Sequence, residues 1–156
     1  MTQPRLAELS RLGHTTTVKL SVKSDYAVRA ILELATRAEG GRAHRAEDLA
    51  AAVGTSANYL VQILLDLKGA ELVQSVRGKQ GGYRLSKAPD EISLGAVLRA
   101  VEGEVFDAPA LSDANCPPAL REAWGQLRDG ANAAADSIHF ARLAEIHARG
   151  QEMYHI

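Results

Sequence analysis

Between Arg45 and Leu85 the sequence writes a short amphipathic helix, a glycine, a longer helix and a glycine-tipped hairpin, and few folds accommodate that order. Leu49, Ala50 and Val53 share one side of the short helix, which runs from about Arg45 to Val53. Gly54 then breaks the chain. Thr55-Ser56 offers an N-cap for a third helix from Ala57 to about Ala70, with Tyr59, Leu60, Ile63, Leu64 and Leu67 spaced to face inward. Short helix, glycine turn and longer helix is helix-turn-helix spacing. The period then changes: Leu72 to Arg77 and Tyr83 to Leu85 alternate as strands around Gly78-Lys79-Gln80-Gly81-Gly82. A hairpin after the third helix is the wing of a winged helix.

The flanks supply the rest of a core. Ser24 is positioned to cap a first helix whose apolar positions Tyr26, Ala27, Ala30, Ile31, Leu34 and Ala35 recur on one face, and Gly40-Gly41 stops it. Ser93 caps a fourth helix, Leu94 to Glu102, which ends at Gly103 and carries the stripe Leu94, Val97, Leu98 and Val101. The expected organisation is a tail or start-site artefact over residues 1–17, a winged domain over 18–103, a sensor-type loop over 104–117 and a dimerisation unit over 118–156. In that last unit Leu120, Ala123, Trp124, Leu127, Ala131 and Ala134 form a stripe that needs a partner, with Leu120, Trp124, Leu127 and Ala131 as dimer contacts. Gly125 and Gly130 predict a bend or break there, and Ser137-Ile138-His139 a last short helix to about Arg149. The fold class is mainly α with a small β-hairpin wing.

Composition removes whole classes of function. Among 156 residues, 46% are hydrophobic and 24% charged, and no apolar run approaches the roughly 20 residues a spanning helix needs, so no membrane partner is expected. One cysteine excludes an internal disulfide and an all-cysteine zinc site, and suits a reducing cytoplasm. Charge is unevenly spread. Residues 18–90 hold 11 Lys/Arg against 8 Asp/Glu, whereas residues 91–156 hold 5 against 10, so the first part suits a polyanion. Gln74 to Lys87 carries Arg77, Lys79, Arg84 and Lys87 with no acid. The hairpin tip lacks the Gly-Lys-Ser/Thr ending of a phosphate loop and lies between strands, so it is no nucleotide site. The five histidines are scattered, no catalytic arrangement stands out, and an enzyme is not expected. Glu102, Glu104 and Asp107 read as a solvated helix end.

In a winged helix the third helix enters the major groove and its outward N-terminal residues meet base edges. Here those are Ser56, Asn58, Val61 and Gln62; Asn and Gln can pair with adenine, and free N–H groups at Thr55 to Ala57 can hold a phosphate. Arg77 and Lys79 on a glycine tip suit the minor groove. A winged-helix interaction module without DNA binding is the rival reading, but it has no use for those two cations.

Several stretches together resemble the Rrf-two family of bacterial winged-helix transcription regulators, of the IscR, NsrR and CymR type. They are Lys19-Leu20-Ser21 with Asp25 to Ala30, Asn58 to Leu64, Leu72 to Gly78, and Gly81 to Leu85. The resemblance is close over about Val18 to Gly103. It implies a homodimeric regulator, of which repression is the expected sign, reading a palindromic double-stranded operator. Ser56, Asn58, Tyr59 and Gln62 would face the major groove or its phosphates, and Arg77, Gly78, Lys79 and Gln80 the wing contact. Family chains commonly begin near the position of Val18, which is where the reading places the start of translation. Val61 departs from the glutamate of several members, so a different operator is expected. Cluster-binding members carry three cysteines before the long helix, whereas this chain has Cys116 alone, resembling the last of them. A cluster needs about four ligands. Cys116 is therefore a ligand completed by histidine or carboxylate groups from both subunits, a redox-active thiol, or an inert cysteine. The cofactor and effector are left unknown, a cluster being open but not favoured.

Overall fold

The computed structural model describes residues 20–154, so the expected tail and a start near Val18 lie outside the described residues. Among the described residues six α-helices and one hairpin follow in order: α1 (Val22–Thr36), α2 (Ala46–Val53), α3 (Ala57–Gly69), β1 (Val73–Val76), β2 (Gly82–Leu85), α4 (Leu94–Glu102), α5 (Pro118–Ser137) and α6 (Phe140–Met153). Ala27, Ala30, Ile31 and Leu34 of α1 pack with Leu49 and Val53 of α2 and Leu60, Ile63, Leu64 and Leu67 of α3 in one core. Among the described residues no single helix is long and apolar enough to cross a membrane.

The start of α1 departs from the sequence expectation. Ser21, and not Ser24, is the N-cap, its hydroxyl accepting from the Ser24 N–H. Both serines have the right chemistry, and tertiary structure decides between them. Ser24 is fully buried, and its hydroxyl donates to Glu102 Oε1 at 2.8 Å, as Ser21 also does. These hydroxyls hold the Glu102 carboxyl below the usual glutamate range, Ser21 contributing most.

α2 and α3 meet at a bend of 104°, within the helix-turn-helix range. Gly54 makes that turn in the left-handed region at φ 82°, where a side chain would be strained. In the hairpin, Val73 pairs with Leu85 and Val76 with Gly82 in antiparallel register. A third segment joins it at a bridge: the His44 N–H donates to the Tyr83 carbonyl at 2.8 Å and the Tyr83 N–H returns to the His44 carbonyl at 2.7 Å. The wing is thereby fastened to the segment that leads into α2.

The C-terminal region differs most from expectation. α5 is continuous through Gly125 and Gly130, without the expected break. α6 is a 14-residue helix rather than a short terminal one, and it belongs to the winged-helix core. Phe140 is fully buried there, and its N–H donates to the Ile92 carbonyl at 3.0 Å. The Leu94 N–H likewise donates to the Ile138 carbonyl at 2.8 Å. Sequence distance hid this, because one aromatic after a long polar helix has no periodicity that assigns it to a distant core.

Candidate nucleic-acid interface

α3 is fixed from behind and open in front. Leu60, Ile63, Leu64 and Leu67 are buried, and Lys23 of α1 pairs with Asp66, which raises the lysine's proton affinity. Asn58 and Gln62 are exposed on the opposite side, with Val61 half-buried beside them. Ser56 is the N-cap, its hydroxyl accepting from the Tyr59 N–H at 3.2 Å. Thr55 is half-buried at the turn. Tyr59, spaced as an inward residue, is instead exposed at the rim. Its ring stands edge-on to Tyr26 with centroids 5.9 Å apart, and Arg29 lies over Tyr26 at 5.7 Å. Tyr26 is half-buried against the core and Tyr59 lies at the surface beside it.

The wing tip spans Arg77 to Gly81. Arg77, Gly78, Lys79 and Gln80 are all exposed. Gly78 sits at φ 107°, and a Cβ on Gly81 would stand 2.2 Å from the Val76 carbonyl, so this tight tip requires glycine. Lys68 donates to Ser75 Oγ at 3.0 Å and ties α3 to β1. Beside the wing lies a feature the sequence reading left out. Arg37, Arg42, Arg45 and Lys79 line a polar cleft of about 390 Å³ in which Asp48 is the acid. The clustering of Arg42 and Arg45 before α2 was its only sequence signal.

α5 presents Leu120, Trp124 and Leu127 to solvent at 54%, 40% and 50% exposure, with Ala131 half-buried further along. Arg99 of α4 reaches this helix. It donates to both carboxylate oxygens of Asp136 at 2.8 and 2.9 Å and to Asn132 Oδ1 at 2.7 Å. The guanidinium holds the Asp136 carboxyl below its ordinary range.

Cys116 is buried before α5, its Sγ 3.6 Å from the Pro117 carbonyl. Arg121 donates to the carbonyls of Asp113 and Cys116 and closes this loop onto α5. Among the described residues no three His, Cys, Asp or Glu side chains converge as a metal would require. The donor set of one chain does not fit an iron–sulfur cluster.

The Rrf2 family model, described as an iron-dependent transcriptional regulator, matches residues 20–146. The chain is 34% identical over 137 residues to the transcriptional regulator CymR of Bacillus subtilis, covering 88% of this chain and 97% of that one. It is 36% identical over 130 residues to the regulator IscR of Aliivibrio salmonicida, covering 81% and 77%. The solved structure of CymR (YrzC), the global cysteine regulator of B. subtilis, matches with a TM-score of 0.72 at 34% identity over 83% of this chain and 98% of that one. T. potens IscR matches with a TM-score of 0.70 at 29% identity over 91% and 100%. A family model that runs through the wing and into the last helix, on a fold shared with CymR and IscR, places the chain in the Rrf2 family of DNA-binding winged-helix transcription regulators.

Proposed function

We propose that the chain is a homodimeric cytoplasmic repressor that reads a palindromic operator with α3 and the wing of each protomer. The observation that carries this reading is the joint exposure of Asn58 and Gln62 on α3 and of Arg77 and Lys79 on an acid-free wing. Asn58 and Gln62 hydrogen-bond base edges in the major groove, where each good bidentate pair discriminates by about 1–3 kcal/mol. Thr55, Ser56 and Tyr59 meet phosphates at the groove rim, the free N–H groups of the helix start aiding them. Arg77 and Lys79 enter the minor groove on the tip formed with Gly78 and Gln80. Leu120, Trp124, Leu127 and Ala131 pack against the same residues of a second copy, an arrangement supported by their exposure along one helix.

The test begins with selection of an operator from random duplexes, followed by anisotropy titrations across a salt series. Arg77→Ala weakens operator and random duplex by the same factor and lowers the salt slope by about 1. Gln62→Ala costs about 1–3 kcal/mol on the operator and leaves random duplex unchanged. Equal discrimination by wild type and Gln62→Ala refutes the base-reading role. No retention of DNA at low salt refutes the whole reading.

A further inference from the structure

The free face of α3 is not wholly polar. At about 3.6 residues per turn, Asn58, Val61, Gln62 and Leu65 share an arc of about 100°, the i, i+3, i+4 and i+7 spacing from which a helix laid in the major groove reads bases. Two of the four are apolar, and none is charged. Leu65 is 51% exposed near the middle of that arc, and Val61 is half-buried without packing against the core. Leu60, Ile63, Leu64 and Leu67 already fix the other side of the helix. One exposed leucine is ordinary. Here it stands beside a second aliphatic side chain and shares its face with two amides.

A duplex is the occupant of this face because the helix belongs to a DNA-binding winged helix and is tied by Lys68 to the cationic wing. Base edges in the major groove carry hydrogen-bond donors and acceptors, and the apolar group they offer is the C5-methyl of thymine. An aliphatic side chain pressed on a polar edge strips its water and returns no hydrogen bond, whereas one pressed on the methyl buries apolar surface on both partners. We infer that Val61 and Leu65 form an apolar seat for thymine methyl groups in each operator half-site, beside the bases read by Asn58 and Gln62, an inference that rests on the operator reading proposed above. Leu65 lies four residues beyond Val61, about 6 Å along the helix axis, so the two side chains meet different base pairs. The amides select by hydrogen bonds and the aliphatic pair by methyl groups.

The experiment titrates the full chain against the operator selected from random duplexes, with each thymine replaced in turn by deoxyuridine, which loses the methyl and keeps every hydrogen-bonding group. At one or two thymines of each half-site the replacement weakens binding about four-fold, and about sixteen-fold when both half-sites carry it, while deoxyuridine elsewhere has no effect. Leu65→Ala alters an exposed side chain and leaves the core intact, and at one of these thymines it binds the two operators within about two-fold of each other. Val61→Ala removes the preference at another. A scan in which no deoxyuridine weakens wild-type binding, although the operator still outcompetes random duplex, overturns the inference and leaves the operator reading standing. A deoxyuridine penalty that both variants retain in full overturns it as well. Failure of the wild-type chain to prefer any operator over random duplex overturns both.

Discussion

Replacing Gly82 with alanine measures how firmly the wing is fastened. Gly82 sits at φ 142°, where a side chain is strained, and a Cβ there would stand 2.2 Å from the His44 carbonyl oxygen. Ordinary contact begins near 3.4 Å, so β2 has to withdraw by about 1.2 Å. That movement takes the paired His44 and Tyr83 bonds, now 2.8 and 2.7 Å, beyond hydrogen-bond range. Two such bonds contribute about 0.5–1.5 kcal/mol each, and backbone strain adds about 1–3 kcal/mol. The stiffer unfolded chain offsets less than about 1 kcal/mol. The expected net loss is about 2–5 kcal/mol by urea unfolding at fixed protein concentration, with faster hydrogen exchange at the His44 and Tyr83 amides. The core helices keep their far-ultraviolet signal, because the damage is confined to the wing. A loss below about 0.5 kcal/mol, with both amides still protected, refutes the reasoning.

Phe140→Ala empties a fully buried site in the winged-helix core and is expected to cost about 3–5 kcal/mol in the same unfolding assay. Glu102 has its carboxyl held low by Ser21 and Ser24, so its stabilisation is present above the ordinary glutamate range of about pH 4 and is lost as pH falls through the lowered value. Glu102→Gln should therefore flatten the acid limb of the melting-temperature profile, and an unchanged limb counts against that assignment. Trp124→Glu places a charge in the apolar stripe of α5 and converts a sedimenting dimer to monomer; a dimer of unchanged affinity rules that stripe out as the interface.

The helix-turn-helix and wing were legible because each signal is local. Val53, Gly54 and Ser56 mark the turn by periodicity, conformational freedom and capping chemistry within four residues. The hairpin is equally local, its tip written in glycines that the observed backbone requires. Long-range choices were not legible. Whether Ser21 or Ser24 caps α1 depends on Glu102, and the edge-on pairing of Tyr59 with Tyr26 joins α3 to α1 across the sequence. A cavity of about 250 Å³ behind the wing was hidden for the same reason: His44 and Arg84 lie far apart in sequence and line it together beside the His44–Tyr83 bridge.

Magnitudes also decide what holds α5 to the domain. The visible link is Arg99, which reaches Asp136 and Asn132, and Gly95 is what allows the close approach, since a Cβ there would stand 2.2 Å from Asp136 Oδ1. Both partners of that ion pair are more than a third exposed, so water replaces much of what its rupture loses, and pairs of this kind contribute about 0–1 kcal/mol. Phe140, three residues beyond the end of α5, sits at 0% exposure in the core, and withdrawing it costs several times more. A rotation of α5 that breaks only the Arg99 pair is therefore cheap, whereas one that pulls Phe140 out competes with the stability of the whole fold. Movement of the long helix relative to the winged helix is limited by the Ile138 to Phe140 junction, pinned as it is to Ile92 and Leu94 by two backbone hydrogen bonds.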